Sequence, residues 1–164
     1  MMDAQALLEA LALPIADRLK REILPEVNAS LTQWSRFHGW KGSVDKEVVA
    51  RQAALNLLLH ALIDHSLEVP LPDKAPSSLI LTRSREVLKR LGIVPQPSSY
   101  LDDLVTQVEI ILNIPEVVEL ATALQREQDD VLGNIYISWV PQEARRPLGQ
   151  FWTPLPVAQL MSQW

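Results

Sequence analysis

Apolar residues recur at helical spacing along much of this chain. The pattern is clearest between Ser99 and Pro115, where five apolar side chains are three or four positions apart: Leu101, Leu104, Val105, Val108 and Leu112. This spacing is typical of one face of an amphipathic helix. Ser99 is suited to cap that helix, and Asp102 three residues later gives a near capping box.

Pro115 is expected to end that helix and to open another, over about residues 116–140. A bend is expected near Asp129 and Asp130. The inner face of this second helix would carry six apolar side chains, namely Val117, Leu120, Leu124, Val131, Ile135 and Trp139.

The N-terminal half predicts further helices. Residues 3–12 form a short helical segment, and Pro14 can stand in the first turn of a separate helix that bends near Pro25. Asp45 can cap a helix over 46–67, which is apolar around most of its circumference and is therefore expected in the middle of a bundle. A shorter helix over 83–91 would end at Gly92.

No segment alternates apolar and polar residues between turns as a strand would, so the chain is predicted to be all-α. We expect an orthogonal or irregular bundle of about six to eight helices. The composition changes near Pro141 to Pro147. This change divides the chain into a helical domain (1–144) and a linker that leads into the first residues of a second domain (145–164).

The composition and net charge disfavour some classes of protein. The 164 residues are 48% hydrophobic, carry a net charge of −5 and include no cysteine. Bulk charge therefore does not favour nucleic acid, and thiolate metal sites are excluded. No secretory signal and no membrane span are recognised in the sequence, so we expect a soluble, cytoplasmic chain without membrane contact.

A polar stripe crosses the apolar helix, because Gln52, Asn56, His60 and Asp64 are spaced by four. His60 and Asp64 could pair, with His65 adjacent, as part of a metal site or a polar groove. The favoured interpretation is that these are polar groups satisfied by neighbouring side chains, because one His–Asp pair falls short of a metal-ligand set. No metal site is predicted.

The most basic stretch, RSREVLKR, contains Arg83, Arg85, Lys89 and Arg90, which could meet phosphates or could form an ordinary exposed face. An aromatic cluster, Trp34, Phe37 and Trp40, is interpreted as a plug at a helix end rather than as a base-stacking surface. No catalytic constellation is recognised: there is no Ser/His/Asp order, no HExxH motif and no phosphate-binding glycine loop.

The segment LGQFWTPLPVAQLM, residues 148–161, is more specific. It resembles the GxFYTPxxVAxLM signature, called motif X, of adenine-specific DNA methyltransferases of the type I modification and related restriction–modification families. The matching positions are Gly149, Phe151, Thr153, Pro154, Val157, Ala158 and Met161. The preceding residues also resemble the family's usual run-in, through Leu132-Gly133, Ile135-Tyr136 and Arg145-Arg146.

The resemblance implies a site for S-adenosylmethionine, because in this family the segment bends over the methionine end of the cofactor. The implied cofactor-binding residues are Gly149, Phe151, Trp152, Thr153 and Pro154. Trp152 departs from the family's usual Tyr or Phe, which would alter the wall of the pocket. Arg145 and Arg146 join the basic residues of RSREVLKR as candidate nucleic-acid contacts.

The family's later motifs, a glycine-containing strand–turn and an NPPY-type tetrapeptide, do not occur in these residues. The resemblance therefore implies an N-terminal region followed by the first elements of a Rossmann-like domain that is missing here. The 164-residue chain alone is expected to be inactive and to bind no cofactor. The full-length enzyme would act on DNA and could contact specificity or nuclease subunits.

One alternative stays open at this point. The chain could be a non-enzymatic helical interaction module with an amphipathic C-terminal tail that docks on another protein. Its apolar residues would be Leu155, Val157, Leu160, Met161 and Trp164.

Overall fold

The computed structural model describes residues 3–22, 31–32, 45–65, 70–93, 100–127 and 130–139. Within these ranges the chain forms six helices and two short strands. The helices are α1 (Ala4–Glu22), α2 (Lys46–His65), α3 (Ser77–Arg90), α4 (Tyr100–Val108), α5 (Ile114–Arg126) and α6 (Val131–Trp139). The strands are β1 (Lys74–Pro76) and β2 (Ile111–Asn113). The prediction of a mainly helical bundle is confirmed.

Helix α2 lies at the centre of the bundle, as its apolar circumference predicted, and packs against α1, α3, α4, α5 and α6. Its buried side chains include four alanines, Ala50, Ala53, Ala54 and Ala61. Such small side chains allow neighbouring helix axes to approach closely. Asp45 caps α2 as expected, since its carboxylate accepts a hydrogen bond of 2.9 Å from the Glu47 amide.

Helix α1 runs without interruption through Pro14, so the prediction of two separate segments is wrong. Asp3 caps its first turn by accepting a 2.7 Å hydrogen bond from the Ala6 amide. Pro14 lies on the exposed side of the helix, where the backbone carbonyl that loses its partner can be hydrated. The expected bend at Pro25 lies outside the described residues.

The short antiparallel pair of β1 and β2 is a correction to the prediction of no strands. Lys74 pairs with Asn113, Ala75 with Leu112 and Pro76 with Ile111. Two further backbone bonds extend the pair, from the Ile114 amide to the Asp73 carbonyl at 2.8 Å and from the Ser77 amide to the Ile110 carbonyl at 2.7 Å. Three-residue strands are too short to show the alternation that identifies strands in a sequence.

Helix α4 ends at Val108, earlier than predicted, and Glu109 adopts a φ of 51° that turns the chain out of the helix. Leu112 therefore lies in β2 and not on the helix. Its side chain is still buried in the common core. The periodic pattern thus identified a core residue correctly and assigned it to the wrong element, because the position of the turn depends on the pairing with β1.

The predicted helix over 116–140 is two helices, α5 and α6, and the expected bend is the break between them. Asp130 starts α6, since its carboxylate accepts a 2.8 Å hydrogen bond from the Gly133 amide. Val117, Leu120, Ile135 and Trp139 are buried as predicted. Leu124 and Val131 are partly buried against the same core.

Helix α6 is fixed to the bundle at its C-terminal end. The Arg51 guanidinium lies over the Trp139 ring, 5.7 Å from its centroid. Glu47 accepts a 2.8 Å hydrogen bond from Arg51 and also pairs with Lys20 of α1. Three helices are therefore joined at the point where the described part of the chain ends.

Helix α3 begins at Ser77, six residues before the predicted start at residue 83. It ends as predicted at Gly92, whose φ of 76° closes a Schellman motif. The Ile93 amide donates to the Leu88 carbonyl at 2.9 Å, and the Gly92 amide donates to the Lys89 carbonyl at 3.1 Å. Across the described ranges, no helix has the length and apolar character needed to cross a lipid bilayer.

Candidate functional site

A buried polar network joins α2, α3 and α4, and it contains Asn56 and His60, two of the four residues of the predicted polar stripe. Its centre is Asp102 on α4, whose side chain is 7% exposed. The Asn56 amide donates to Asp102 Oδ1 at 2.7 Å, and Arg85 donates to Asp102 Oδ2 at 2.7 Å. His60 adds its Nε2 at 3.7 Å from Oδ1, which is an electrostatic contact and too long for a hydrogen bond.

The other ring nitrogen of His60, Nδ1, lies 2.7 Å from Ser84 Oγ. A neutral ring is best stabilised with its proton on Nε2, opposite the carboxylate, so that Nδ1 accepts from the Ser84 hydroxyl. The Leu81 carbonyl is a second acceptor for that hydroxyl at 3.1 Å. Burial lowers the pKa of His60, and the nearby Asp102 carboxylate opposes this effect.

Ser84, His60 and Asp102 are thus brought together, although no such order was recognised in the sequence. The arrangement does not provide a nucleophile, because Ser84 is fully buried and no substrate can reach its hydroxyl. The Asp102 carboxylate is also shared with Arg85 and Asn56 rather than reserved for the imidazole. The structure therefore favours a packing role for these residues over a catalytic one.

Asp64, the last member of the predicted stripe, does not pair with His60. Its carboxylate is fully buried and lies 3.2 Å from the Arg83 guanidinium of α3. The geometry is not that of an aligned hydrogen bond, and neither Asp64 oxygen has a hydrogen-bond partner within the described part of the chain. Burial raises the pKa of Asp64, while Arg83 acts in the opposite direction.

The interpretation of the stripe as polar groups satisfied by neighbours therefore holds for Asn56 and His60. No group of three or more potential metal ligands is found in the described ranges. Asp102 and Ser84, the main partners, were not identified as site residues. Asp102 stands beside the apolar face of α4 in the sequence, which is a position where a carboxylate needs a buried partner.

The basic residues of RSREVLKR fall into two groups. Arg83 and Arg85 are turned toward the bundle, where they face Asp64 and Asp102. Lys89 and Arg90 are exposed at the last turn of α3. Only the second pair presents its charge outward, and a phosphate contact at these residues stays a prediction.

The sites implied by the methyltransferase resemblance lie outside the described residues. This applies to the cofactor-binding residues Gly149, Phe151, Trp152, Thr153 and Pro154, and to Arg145 and Arg146. The aromatic cluster, Trp34, Phe37 and Trp40, also lies outside them.

A cleft of about 490 Å³ opens between the start of α1 and the end of α5, which we name the α1–α5 cleft. Its apolar lining consists of Ala4, Leu7 and Ala123. Its polar lining consists of Asp3, Glu119, Thr122, Arg126 and Glu127. The pattern of the sequence gave no indication of this cleft, because the two helices that form it are about a hundred residues apart.

Comparison of the chain with models of known families, with curated proteins and with solved structures finds no match. The described residues define a mainly helical bundle with a buried polar network, and an open cleft lies between α1 and α5. A proposal for the function of this chain therefore rests on the chain's own residues.

Proposed function

We propose that the chain is the helical N-terminal region of an adenine-specific DNA methyltransferase, leading into the segment that contacts S-adenosylmethionine. The observation that carries the proposal is the order and spacing of seven residues between positions 149 and 161, each of which matches the family signature in turn. Those residues are Gly149, Phe151, Thr153, Pro154, Val157, Ala158 and Met161.

The residue types suit the proposed task. Gly149 has no Cβ and permits a close approach of the backbone to a ligand. Pro154 and Pro156 precede a helical pattern, and the first amides of a helix favour an anionic group such as the cofactor carboxylate. The Thr153 hydroxyl would add a hydrogen bond to the same group, and Phe151 and Trp152 would flank it.

The bundle would act as the part of the enzyme that positions this segment. Helix α6 is held at its end by Arg51, and the motif-like segment begins at Leu148, nine positions after Trp139. The net charge of −5 makes a protein partner, such as a specificity or nuclease subunit, at least as suitable for the bundle as DNA. Lys89 and Arg90 are the described residues best placed to face DNA.

The proposal is tested with the product of the complete gene. Transfer of a labelled methyl group from S-adenosylmethionine to the exocyclic amine of adenine in duplex DNA is the expected activity. Thr153→Ala should raise the KM for the cofactor about 10- to 100-fold, the cost of one hydrogen bond to a charged group. Thr82→Ala is the matched control, because Thr82 is exposed and bonds only within its own helix.

The 164-residue chain alone should transfer no methyl group. Turnover by this chain, or equal cofactor affinity in the Thr153→Ala and Thr82→Ala variants, would refute the proposal. A gene without the glycine-containing strand–turn and the NPPY-type tetrapeptide would instead favour a helical interaction module.

A further inference from the structure

The buried polar network places two basic groups beside one carboxylate. Arg85 donates to Asp102 Oδ2 at 2.7 Å, and His60 Nε2 lies 3.7 Å from Asp102 Oδ1. Within the described part of the chain, Asp102 of α4 and Arg85 of α3 are the charged groups that act on His60, and α1, α5 and α6, which also pack against α2, add none. Asp64, one turn further along α2, faces Arg83 instead. When His60 takes up a proton, two positive charges therefore share one negative charge.

The hydrogen bonds around His60 suit the protonated ring as well as the neutral one. A protonated ring donates from both nitrogens. Ser84 Oγ, 2.7 Å from Nδ1, can accept one of these bonds, because the Ser84 hydroxyl can turn its own proton to the Leu81 carbonyl at 3.1 Å. On the other side of the ring, an N–H···O bond of about 2.8 Å between two charged groups needs His60 Nε2 and Asp102 Oδ1 to close by about 0.9 Å. Small side-chain movements are therefore sufficient to pair the imidazolium with Asp102.

Of the two cations, Arg85 is the one that can reach water. Its side chain is 33% exposed, whereas that of His60 is 15% exposed and belongs to the central helix. An excess charge inside a protein is costly, so the least costly arrangement moves it to solvent. The long side chain of Arg85 can do so by rotations of its own bonds, with its apolar stem left against the bundle.

We propose that protonation of His60 exchanges the partner of Asp102. With a neutral ring, Asp102 pairs with Arg85. With a protonated ring, Asp102 pairs with the imidazolium, and the Arg85 guanidinium turns to solvent. Because Arg85 lies one helical turn before the exposed Lys89, the exchange increases the positive charge on the outer side of α3 and removes a link between α3 and α4.

The exchange belongs to mildly acidic conditions. Burial lowers the pKa of His60, Asp102 opposes this effect, and Arg85 lowers the pKa further. The ring therefore takes up its proton below the ordinary histidine value of about 6.5, and the pair of Asp102 and Arg85 is the neutral-pH state. The inference goes beyond the proposed function and does not depend on it.

Nuclear magnetic resonance of the 164-residue chain follows both groups at once. The Hε1 proton of His60 reports the charge of the ring. The two Nη nitrogens of Arg85 report its pairing, because a guanidinium held by a carboxylate rotates slowly and gives two separate signals. Between about pH 7.5 and 5, these two signals should merge with the same midpoint as the His60 titration. Arg51 is the control and should keep its two signals, because it donates at 2.8 Å to Glu47, whose pKa is lowered by the hydrogen bond from Lys20.

Two variants identify the cause of the change. In His60→Asn, the two Arg85 signals should stay separate down to about pH 5, because no competing cation forms. In Arg85→Met, the His60 midpoint should move to higher pH, because the imidazolium no longer competes with a guanidinium for Asp102. Thr82→Met, at an exposed position of the same helix, should leave the His60 midpoint unchanged. Circular dichroism checks that each variant is folded.

Any of four results would overturn the inference. Three of them are separate Arg85 signals that persist beyond the His60 midpoint, merging signals in His60→Asn, and a His60 midpoint that Arg85→Met leaves unchanged or lowers. The fourth is merging of the Arg51 signals at the same pH, because the bundle would then be unfolding as a whole. Methyl transfer is not measured in this experiment, so its outcome is independent of the proposed function.

Discussion

Replacing Asp102 with Asn should destabilise the bundle by about 2 kcal/mol. Asp102 accepts 2.7 Å hydrogen bonds from Arg85 and Asn56, and its carboxylate is almost fully buried. An Asn side chain keeps the volume but brings an NH₂ group. In either orientation of the amide, that NH₂ group faces a donor, from Arg85 or from Asn56.

The size of this loss in stability depends on how exposed the hydrogen-bond partners of Asp102 are. A hydrogen bond to a charged group contributes about 1.5–3 kcal/mol when it is lost inside a protein. Arg85 is 33% exposed and can be partly hydrated when its partner is neutral, which keeps the estimate near the lower half of that range. A loss of about 2 kcal/mol corresponds to a fall in Tm of roughly 4–8 °C for a chain of this size.

The assay is urea unfolding followed by far-UV circular dichroism, where about 2 kcal/mol moves the midpoint by roughly 1 M. Asp103→Asn is the matched control, because Asp103 is the exposed neighbour on the same helix and should cost less than about 1 kcal/mol. Adding Arg85→Met to Asp102→Asn should cost less than the sum of the single changes. Equal stability of Asp102→Asn and the native chain, or strict additivity, would refute the role assigned to this carboxylate.

Three further predictions concern the same bundle. The pKa of His60 is lowered in the folded state, so the folded state binds fewer protons, and stability should fall as the pH drops below the ordinary histidine value of about 6.5. In urea titrations between about pH 7.5 and 5, His60→Asn should reduce the dependence of the unfolding free energy on pH, and the exposed His65→Asn is the control. An unchanged pH dependence in His60→Asn would contradict the assignment. The pKa of Asp64 is raised, so its charged form costs stability above the folded pKa. At pH 7, Asp64→Asn should be neutral or stabilising, whereas Arg83→Met should destabilise the bundle because it leaves the buried Asp64 charge unpaired. If thermal unfolding instead shows Asp64→Asn to be the more destabilising change, the ion pair is net favourable. Gly92→Ala should lower the free energy of unfolding by about 1 kcal/mol in the same measurement, because the φ of 76° at this position disfavours any side chain, although space around the new Cβ is open. An unchanged stability would mean that the turn relaxes.

The sequence predicted the presence of individual helices better than the residues at which they begin and end. The apolar face of α4 and the buried circumference of α2 were read correctly from spacing alone. Leu112 was assigned to the wrong element, because its pairing with Ala75 in β1 comes from a segment nearly forty positions earlier. Pro14 was expected to break α1 and does not, because it lies on the exposed side.

The candidate site was predicted only in part. The spacing of Asn56, His60 and Asp64 indicated that they share one face of a helix, and they do. Their partners lie on two other helices, and no pattern within α2 identifies which residues of α3 and α4 will face it. Arg83 and Arg85 were grouped with Lys89 and Arg90 as one basic stretch, yet the first two are turned inward by Asp64 and Asp102.

The sequence by itself determined the helical class, the central position of α2 and the motif-like order of residues 149–161, because periodicity and spacing are properties of local chain geometry. Only the tertiary structure decided that Asp102 unites Asn56, His60 and Arg85, that Ser84 is sealed from substrate, and that α1 and α5 form an acidic cleft. These features depend on which helices meet and at what distance. The packing of the whole core sets that contact, and no local segment encodes it alone.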